Sequence, residues 1–201
     1  MLKIYHAPGA RSLRVLWLCE EMGVPYETAE GSFFKPSAEF IAANPLRTIP
    51  AMTDGDVSMI ESVAMMLYIM NKYGPTDLDV TPSEPAYAEY LQYLMFGEAG
   101  IAAYGNPLVA TRFMAPDDQK RNWTVEYLEN AIVKRLEFVC ERLGDKQYVA
   151  ANRFTAADIS VAYIVSAAKF AGIEDKIPAR MRAYYDNLAQ RPAFQRAAAR
   201  K

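Results

Sequence analysis

The sequence predicts an α/β domain followed by an all-helical bundle, and three observations carry that prediction. Up to Tyr73 apolar periodicity alternates between strand and helix; Pro75 to Ala86 is rich in proline, acid and hydroxyl; beyond it almost every window has helical period. The boundaries drawn from this are residues 1–76, a linker at 77–86 and a helical domain at 87–201.

Leu2 to Tyr5 reads as a first strand, which Pro8-Gly9 leads into a helix from about Ser12 to Met22, with Leu13, Leu16, Trp17 and Glu20 marking its faces. Gly23-Val24-Pro25 stops it. A second strand, about Tyr26 to Glu30, precedes a short helix around Ser37 to Ala43. Asp54-Gly55 between two apolar runs predicts a type I′ hairpin that pairs residues 51–53 with 57–60. Glu61-Ser62 then opens a helix through Val63, Met66, Leu67, Ile69 and Met70 to Tyr73, where Gly74-Pro75 ends it. The order is β-α-β-α-β-β-α. In the second half Pro107, Ala115-Pro116, Gly144-Asp145, Gly172 and Pro178 punctuate the helices. Thr155, followed three residues later by Asp158 and then by an apolar run, predicts a capping box in which Asp158 is structural.

A composition of 52% hydrophobic and 23% charged residues is that of an ordinary globule with a sizeable core. Net charge is −2, with Lys and Arg scattered, so no basic stripe supports nucleic acid as a partner. No apolar run approaches the length of a bilayer span, and Met1-Leu2-Lys3-Ile4-Tyr5 enters a strand rather than a signal peptide, so the expected location is cytoplasmic and no membrane partner is expected. Cys19 and Cys140 lie far apart on helical patterns with no CxxC and no His or Cys cluster. Buried free thiols are expected, and no metal.

The stretch from Thr48 to Ser62 carries the most functional information. A proline cannot donate to a ladder, so Pro50 sits at an edge or bend and leaves the backbone of Ile49 for another partner. At Glu61-Ser62 a carboxylate, a hydroxyl and helix N-terminal amides converge. That set suits a ligand with both an ammonium and a carboxylate, because the amides attract the anion and Glu61 takes the cation.

Five features in order resemble the soluble glutathione S-transferase superfamily over essentially the whole chain. They are Pro8 with Arg11-Ser12-Leu13-Arg14-Val15-Leu16-Trp17; Asn44-Pro45 followed by Ile49-Pro50; Glu61-Ser62; the proline-bearing linker; and Phe154-Thr155-Ala156-Ala157-Asp158. Tyr5-His6-Ala7-Pro8 and the run from Arg11 to Glu21 look most like a bacterial and fungal branch. The resemblance implies a thioredoxin-like N-terminal domain that binds glutathione as co-substrate, and a helical domain that supplies much of a hydrophobic pocket. It implies a cis bond before Pro50, with Ile49 pairing to the cysteinyl part of glutathione and Glu61 and Ser62 holding the γ-glutamyl end. Where many relatives have a glycine and then a lysine, this chain has Arg47 and Thr48, so the glycyl carboxylate is left to Arg47, Lys35 or Arg11.

Conjugation needs glutathione as thiolate, and a thiol of pKa near 8.5 is mostly protonated at neutral pH. Relatives use a Ser, Thr or Tyr near the first helix, or a cysteine that forms mixed disulfides. Here Ala10 stands where close relatives often have serine, and no cysteine precedes Cys19. Ser12 is the first choice for the thiolate donor, with a plain cap as its alternative reading; Tyr5 is second, and Arg11 supplies positive charge. His6 reads as a strand-end residue rather than a general base. Tyr93, Phe96, Tyr104 and Phe113 are the electrophile-pocket candidates by resemblance, with core packing as the alternative for each. The implied activity is conjugation of glutathione to small hydrophobic electrophiles by a homodimer. The alternatives are a non-catalytic binding or regulatory protein that keeps the fold, and a glutathione-dependent peroxidase or disulfide reductase.

Overall fold

β1 (Leu2–His6) lies at the centre of a four-stranded sheet, flanked by β2 (Glu27–Glu30) in parallel and β3 (Ala51–Asp54) antiparallel, with β4 (Val57–Ile60) outside β3. The computed structural model that establishes this order describes residues 1–200. Only β1 and β2 need a crossover, and α1 (Ser12–Met22) supplies it. Its apolar residues run nearly all round, so α1 is buried from Ser12 to Cys19, between the sheet and later helices. Gly23 ends it in the left-handed conformation (φ 67°), as expected of a glycine stop.

α2 (Ala38–Ala43) follows β2, capped by Ser37, whose hydroxyl accepts from the Phe40 N–H at 3.1 Å. The hairpin forms where Asp-Gly places it, but the turn is one residue later than expected. Asp54 is the last residue of β3, paired with Val57, so Gly55-Asp56 are the central residues, and only Gly55 has positive φ (62°). The cause lies outside the turn. The Asp54 carboxylate is buried and accepts from Lys72 Nζ (2.6 Å), Tyr73 OH (2.7 Å) and Tyr68 OH (3.1 Å), all on α3 (Ser62–Tyr73), which keeps Asp54 in the strand.

The helical part contains α4 (Tyr87–Met95), a π-helical segment (Phe96–Ala102), α5 (Ala103–Met114), α6 (Trp123–Leu143), α7 (Ala156–Phe170) and α8 (Ala179–Ala189). α7 is the core helix, and its start is the expected capping box. The buried Asp158 carboxylate accepts from the N–H of Thr155 (2.9 Å), the N–H of Val149 (2.9 Å) and the hydroxyl of Tyr184 (2.7 Å). The sequence suggests that Gly97, Gly100 and Gly105 loosen the helix and make room for substrate; Gly97 has a different job. A Cβ there would lie 2.5 Å from the Ser160 carbonyl oxygen, so glycine lets the π-helical segment rest directly on α7. We expect Gly97→Ala to cost about 1–3 kcal/mol, the usual price of overpacking, seen as a lowered thermal midpoint.

The chain divides into two compact units, Met1–Asp79 with the stretch beginning at Ala189, and Val80–Leu188. That last stretch, counted with the helical domain on sequence grounds, returns to α1. Phe194 of α9 (Pro192–Ala198) meets Trp17 edge to face at 4.9 Å, and Arg191 binds both carboxylate oxygens of Glu21. Cys19 is buried as expected, while Cys140 is only half-buried.

Candidate active site

The ladder itself gathers the sequence-predicted residues. Tyr5 pairs with Ala51, and Ala51 with Ile60. The C-terminal end of β1, the entrance to β3 and the C-terminal end of β4 therefore share one end of the sheet. The loop into α1, the Ile49-Pro50 bond and the start of α3 all leave from there, and two helix N-termini bring their positive ends to one place.

Ile49-Pro50 is cis, as the resemblance implies. Pro50 brings no N–H to the ladder, which starts at Ala51, so Ile49 stands at its open end. Its side chain joins Tyr5, Phe40 and Ala51 in a small core. The loop before it is braced by the buried Asn44, whose amide donates to the Thr48 carbonyl at 2.7 Å and whose Oδ1 accepts from the Leu46 N–H at 3.0 Å. Arg47 occupies the left-handed region (φ 58°), and its side chain is exposed, as is that of Lys35.

Glu61 is the most informative residue here. It holds φ 74°, ψ 102°, a conformation that costs a non-glycine residue about 1–3 kcal/mol and points to function when it persists. Its carbonyl accepts the first helical bond of α3, from Met65 at 2.9 Å, yet its side chain makes no cap hydrogen bond. The carboxylate is exposed. Beside it Ser62 is buried, its hydroxyl accepting from Arg14 Nη1 at 3.3 Å. Sequence reasoning passed over Arg14, although a charge inside Leu13-Arg14-Val15-Leu16 was the signal. Its guanidinium is wholly buried and ties α1 to α3 directly beneath the site.

The expected thiolate donors are placed differently. The Ser12 side chain is wholly buried, and its oxygen lies 2.7 Å from His6 Nδ1, so the hydroxyl is engaged beneath the helix start rather than presented above it. Ser12 is the first residue of α1; the cap position belongs to Arg11, which is half-buried. The Tyr5 ring packs on Phe40 at 5.3 Å, and its hydroxyl bonds to Glu39; burial first, then Glu39, raise its pKa above the usual tyrosine value. Burial pushes the Cys19 thiol up to about 12, which makes it inert. In the first turn of α1 the Leu13 N–H donates to the Ala10 carbonyl and the Arg14 N–H to the Arg11 carbonyl, each at 3.1 Å, so the turn offers an anion its dipole, with Arg11 beside it.

The pocket candidates do not form one group. Tyr93 is buried, edge-on to Phe96 at 6.5 Å, and Phe96 in turn meets Phe138 at 5.5 Å. Tyr104 lies under the Arg135 guanidinium, which donates to its hydroxyl at 2.6 Å. Phe113 is 61% exposed, stands 5.4 Å from Phe170, and lines a cleft of about 750 Å³ with Arg112, Glu129 and Lys176. Among the described residues no group of three His, Cys, Asp or Glu is arranged to hold a metal ion, and no helix is long and apolar enough to cross a membrane.

Comparison with known proteins gives a consistent assignment. Residues 4–77 match the glutathione S-transferase N-terminal domain family and residues 105–197 the corresponding C-terminal domain family. Glutathione S-transferase 3 of Schizosaccharomyces pombe is 27% identical, the match covering 98% of this chain and 87% of that protein. Glutathione S-transferase 3 of Zea mays is 28% identical over 98% of this chain and 93% of its own. The crystal structure of the glutathione transferase URE2P6 from Phanerochaete chrysosporium in complex with oxidized glutathione superposes with a TM-score of 0.84 at 26% identity, covering 98% of this chain and 94% of that one.

Proposed function

The chain belongs to the soluble glutathione S-transferase superfamily, and from that premise we propose that it adds the glutathione thiolate to small hydrophobic electrophiles, as a cytoplasmic homodimer in a detoxifying role. The observation that carries the reading is Glu61: an exposed carboxylate held in a costly backbone conformation at a helix start that it does not cap.

In this reading the Ile49 backbone pairs with the cysteinyl residue of glutathione in the manner of an added strand. Glu61 takes the α-ammonium of the γ-glutamyl end, while Ser62 and the amides of α3 take its carboxylate. Arg47 and Lys35 are the cations offered to the glycyl carboxylate. Lowering the thiol pKa by two units requires about 2.7 kcal/mol of preference for the anion. The first turn of α1 supplies up to about 2 kcal/mol in a partly buried geometry, and the Arg11 guanidinium adds to it. Tyr93, Phe96, Tyr104 and Phe113 remain the candidates for contact with the electrophile; Phe113 is the most exposed of the four and lines the cleft beside Arg112. Ser12 contributes by holding the loop, since its own hydroxyl is engaged with His6.

That engagement, with alanine at position 10, also favours a second reading, a protein that binds glutathione and does not turn it over. Steady-state conjugation of a chloronitrobenzene, run beside peroxide and disulfide reduction, separates the readings. We expect conjugation to exceed both reductions. Tight glutathione binding with no turnover of any of the three would replace this proposal by the second reading.

A further inference from the structure

His6, the sole histidine, ends β1 and is almost fully buried, although the chemistry of conjugation gives it no task. Both of its ring nitrogens are engaged. Nε2 lies 3.3 Å from the backbone carbonyl of Arg200, and Nδ1 lies 2.7 Å from Ser12 Oγ. A carbonyl only accepts, so Nε2 carries the proton. In the neutral ring Nδ1 is then an acceptor, and the Ser12 hydroxyl must donate to it. Burial lowers the pKa of His6, which keeps the ring neutral at physiological pH. The result is a directed chain from Ser12 to His6 to the Arg200 carbonyl. The hydroxyl proton of Ser12 is committed to the ring; its other neighbour, the Ala7 carbonyl at 3.5 Å, is too distant to compete.

The far end of this chain is held firmly. Glu20 on α1 accepts from Arg196 Nε (2.6 Å), Arg200 Nη2 (3.1 Å) and Tyr26 OH (2.8 Å). One residue on, Glu21 takes Arg191 at 2.6 and 2.8 Å and the Trp17 indole N–H at 2.9 Å. The C-terminal stretch is thus clamped to the last turns of α1, and its final described carbonyl reaches back under the first turn. The same helix is gripped at both ends by one segment, and at the N-terminal end the grip passes through His6 and Ser12.

We propose that His6 is a positioning residue for thiol activation: it carries the seating of the C-terminal segment, through Ser12, to the first turn of α1 and the loop from Ala7 to Arg11. This rests on the reading that the first turn of α1 stabilises the glutathione thiolate. His6 touches no substrate. Its task is to keep the N-terminal end of α1 at the distance and angle that an anion requires, because a dipole's effect decays within the first turn.

Two near-isosteric replacements separate its two bonds. Asn at position 6 places Oδ1 where Nδ1 stands and keeps an acceptor for Ser12, while its amide falls short of Arg200; Gln reaches Arg200 and withdraws from Ser12. The test titrates the thiol of glutathione bound to the protein, by the ultraviolet absorbance of the thiolate, alongside glutathione Kd by calorimetry and thermal midpoints. We expect His6→Gln and Ser12→Ala each to raise the bound thiol's pKa by about one unit, equivalent to a tenfold loss of thiolate near neutral pH, with Kd unchanged within about twofold. The His6→Gln/Ser12→Ala double variant should be no worse than either single one, because both break one link. His6→Asn keeps the acceptor for Ser12 but loses the Arg200 link, so it too should raise the bound thiol's pKa; a full depression retained in His6→Asn would overturn the part assigned to the C-terminal segment. A bound thiol that titrates normally in the wild-type protein would overturn the reading on which this rests. A depressed wild-type value left unmoved by His6→Gln and Ser12→Ala, or additive effects in the double variant, would overturn the role of His6 alone.

Discussion

Asp158→Ala should lower the unfolding free energy by about 3–5 kcal/mol, the range for removing one member of a buried charged network. Three donors lose their acceptor at once: the N–H groups of Val149 and Thr155 and the Tyr184 hydroxyl, none of which water reaches in the fold. A buried donor left unpaired costs about 1–3 kcal/mol, and loss of the cap itself about 1 kcal/mol, so partial relaxation of the Val149 turn still leaves a deficit of this size. Chemical denaturation of both proteins measures it.

The same residue makes a pH-dependent contribution whose sign follows from its pKa. Burial raises the Asp158 carboxyl from its ordinary 3.8 to about 6, against the opposing pull of its hydrogen-bond donors. The native state therefore holds a proton more tightly than the unfolded chain. The stability this adds is fully present below pH 3.8 and is lost as pH rises through 6. The difference in stability between the wild type and Asp158→Ala is expected to be about 1 kcal/mol larger at pH 5 than at pH 7.5. A difference that grew toward high pH would mean that the donors around the carboxylate outweigh burial.

At the glutathione site the largest effect is expected from Glu61. Glu61→Ala should weaken glutathione binding by about 10- to 100-fold, since a charge-assisted hydrogen bond contributes about 1.5–3 kcal/mol and each 1.4 kcal/mol is tenfold. Glu61→Gly separates binding from architecture. Glycine relieves the positive φ, so this variant should be as stable as the wild type or up to about 1 kcal/mol more so, while binding falls as far as in Glu61→Ala. If glutamate served only to start α3, both variants would be less stable and would bind as before. Calorimetric titration and thermal melts on the same samples distinguish the two.

What could be read ahead of the structure was whatever depends on near neighbours in the chain. The 3.6-residue periodicity and the glycine stop delimit α1 from Ser12 to Met22, and the Thr155–Asp158 spacing places the start of α7. Asp54-Gly55 locates the hairpin, but its register was settled by Lys72 and Tyr73, partners that sequence proximity does not reveal. The ligand end of the site was legible because Ile49-Pro50 and Glu61-Ser62 are local patterns with direct chemical meaning. The direction of the Ser12 hydroxyl was not. It is decided by His6 and, through it, by Arg200 at the other end of the chain, so a serine at the start of a helix reads alike whether it faces a ligand or the core. The return of α9 to α1 escaped for the same reason: Glu20 and Glu21 look like solvated charges until their arginine partners are in place.

The proposed site turns on recognition by Glu61 of the free ammonium of the γ-glutamyl end of glutathione. The most direct measurement is a calorimetric comparison of glutathione with its N-acetyl derivative, in which the ammonium is blocked, on the wild-type protein and on Glu61→Ala. The wild type is expected to prefer glutathione by about tenfold or more and Glu61→Ala to bind the two alike, because the preference resides in the carboxylate. Equal binding of both ligands by the wild type, or a preference that survives in Glu61→Ala, would contradict it.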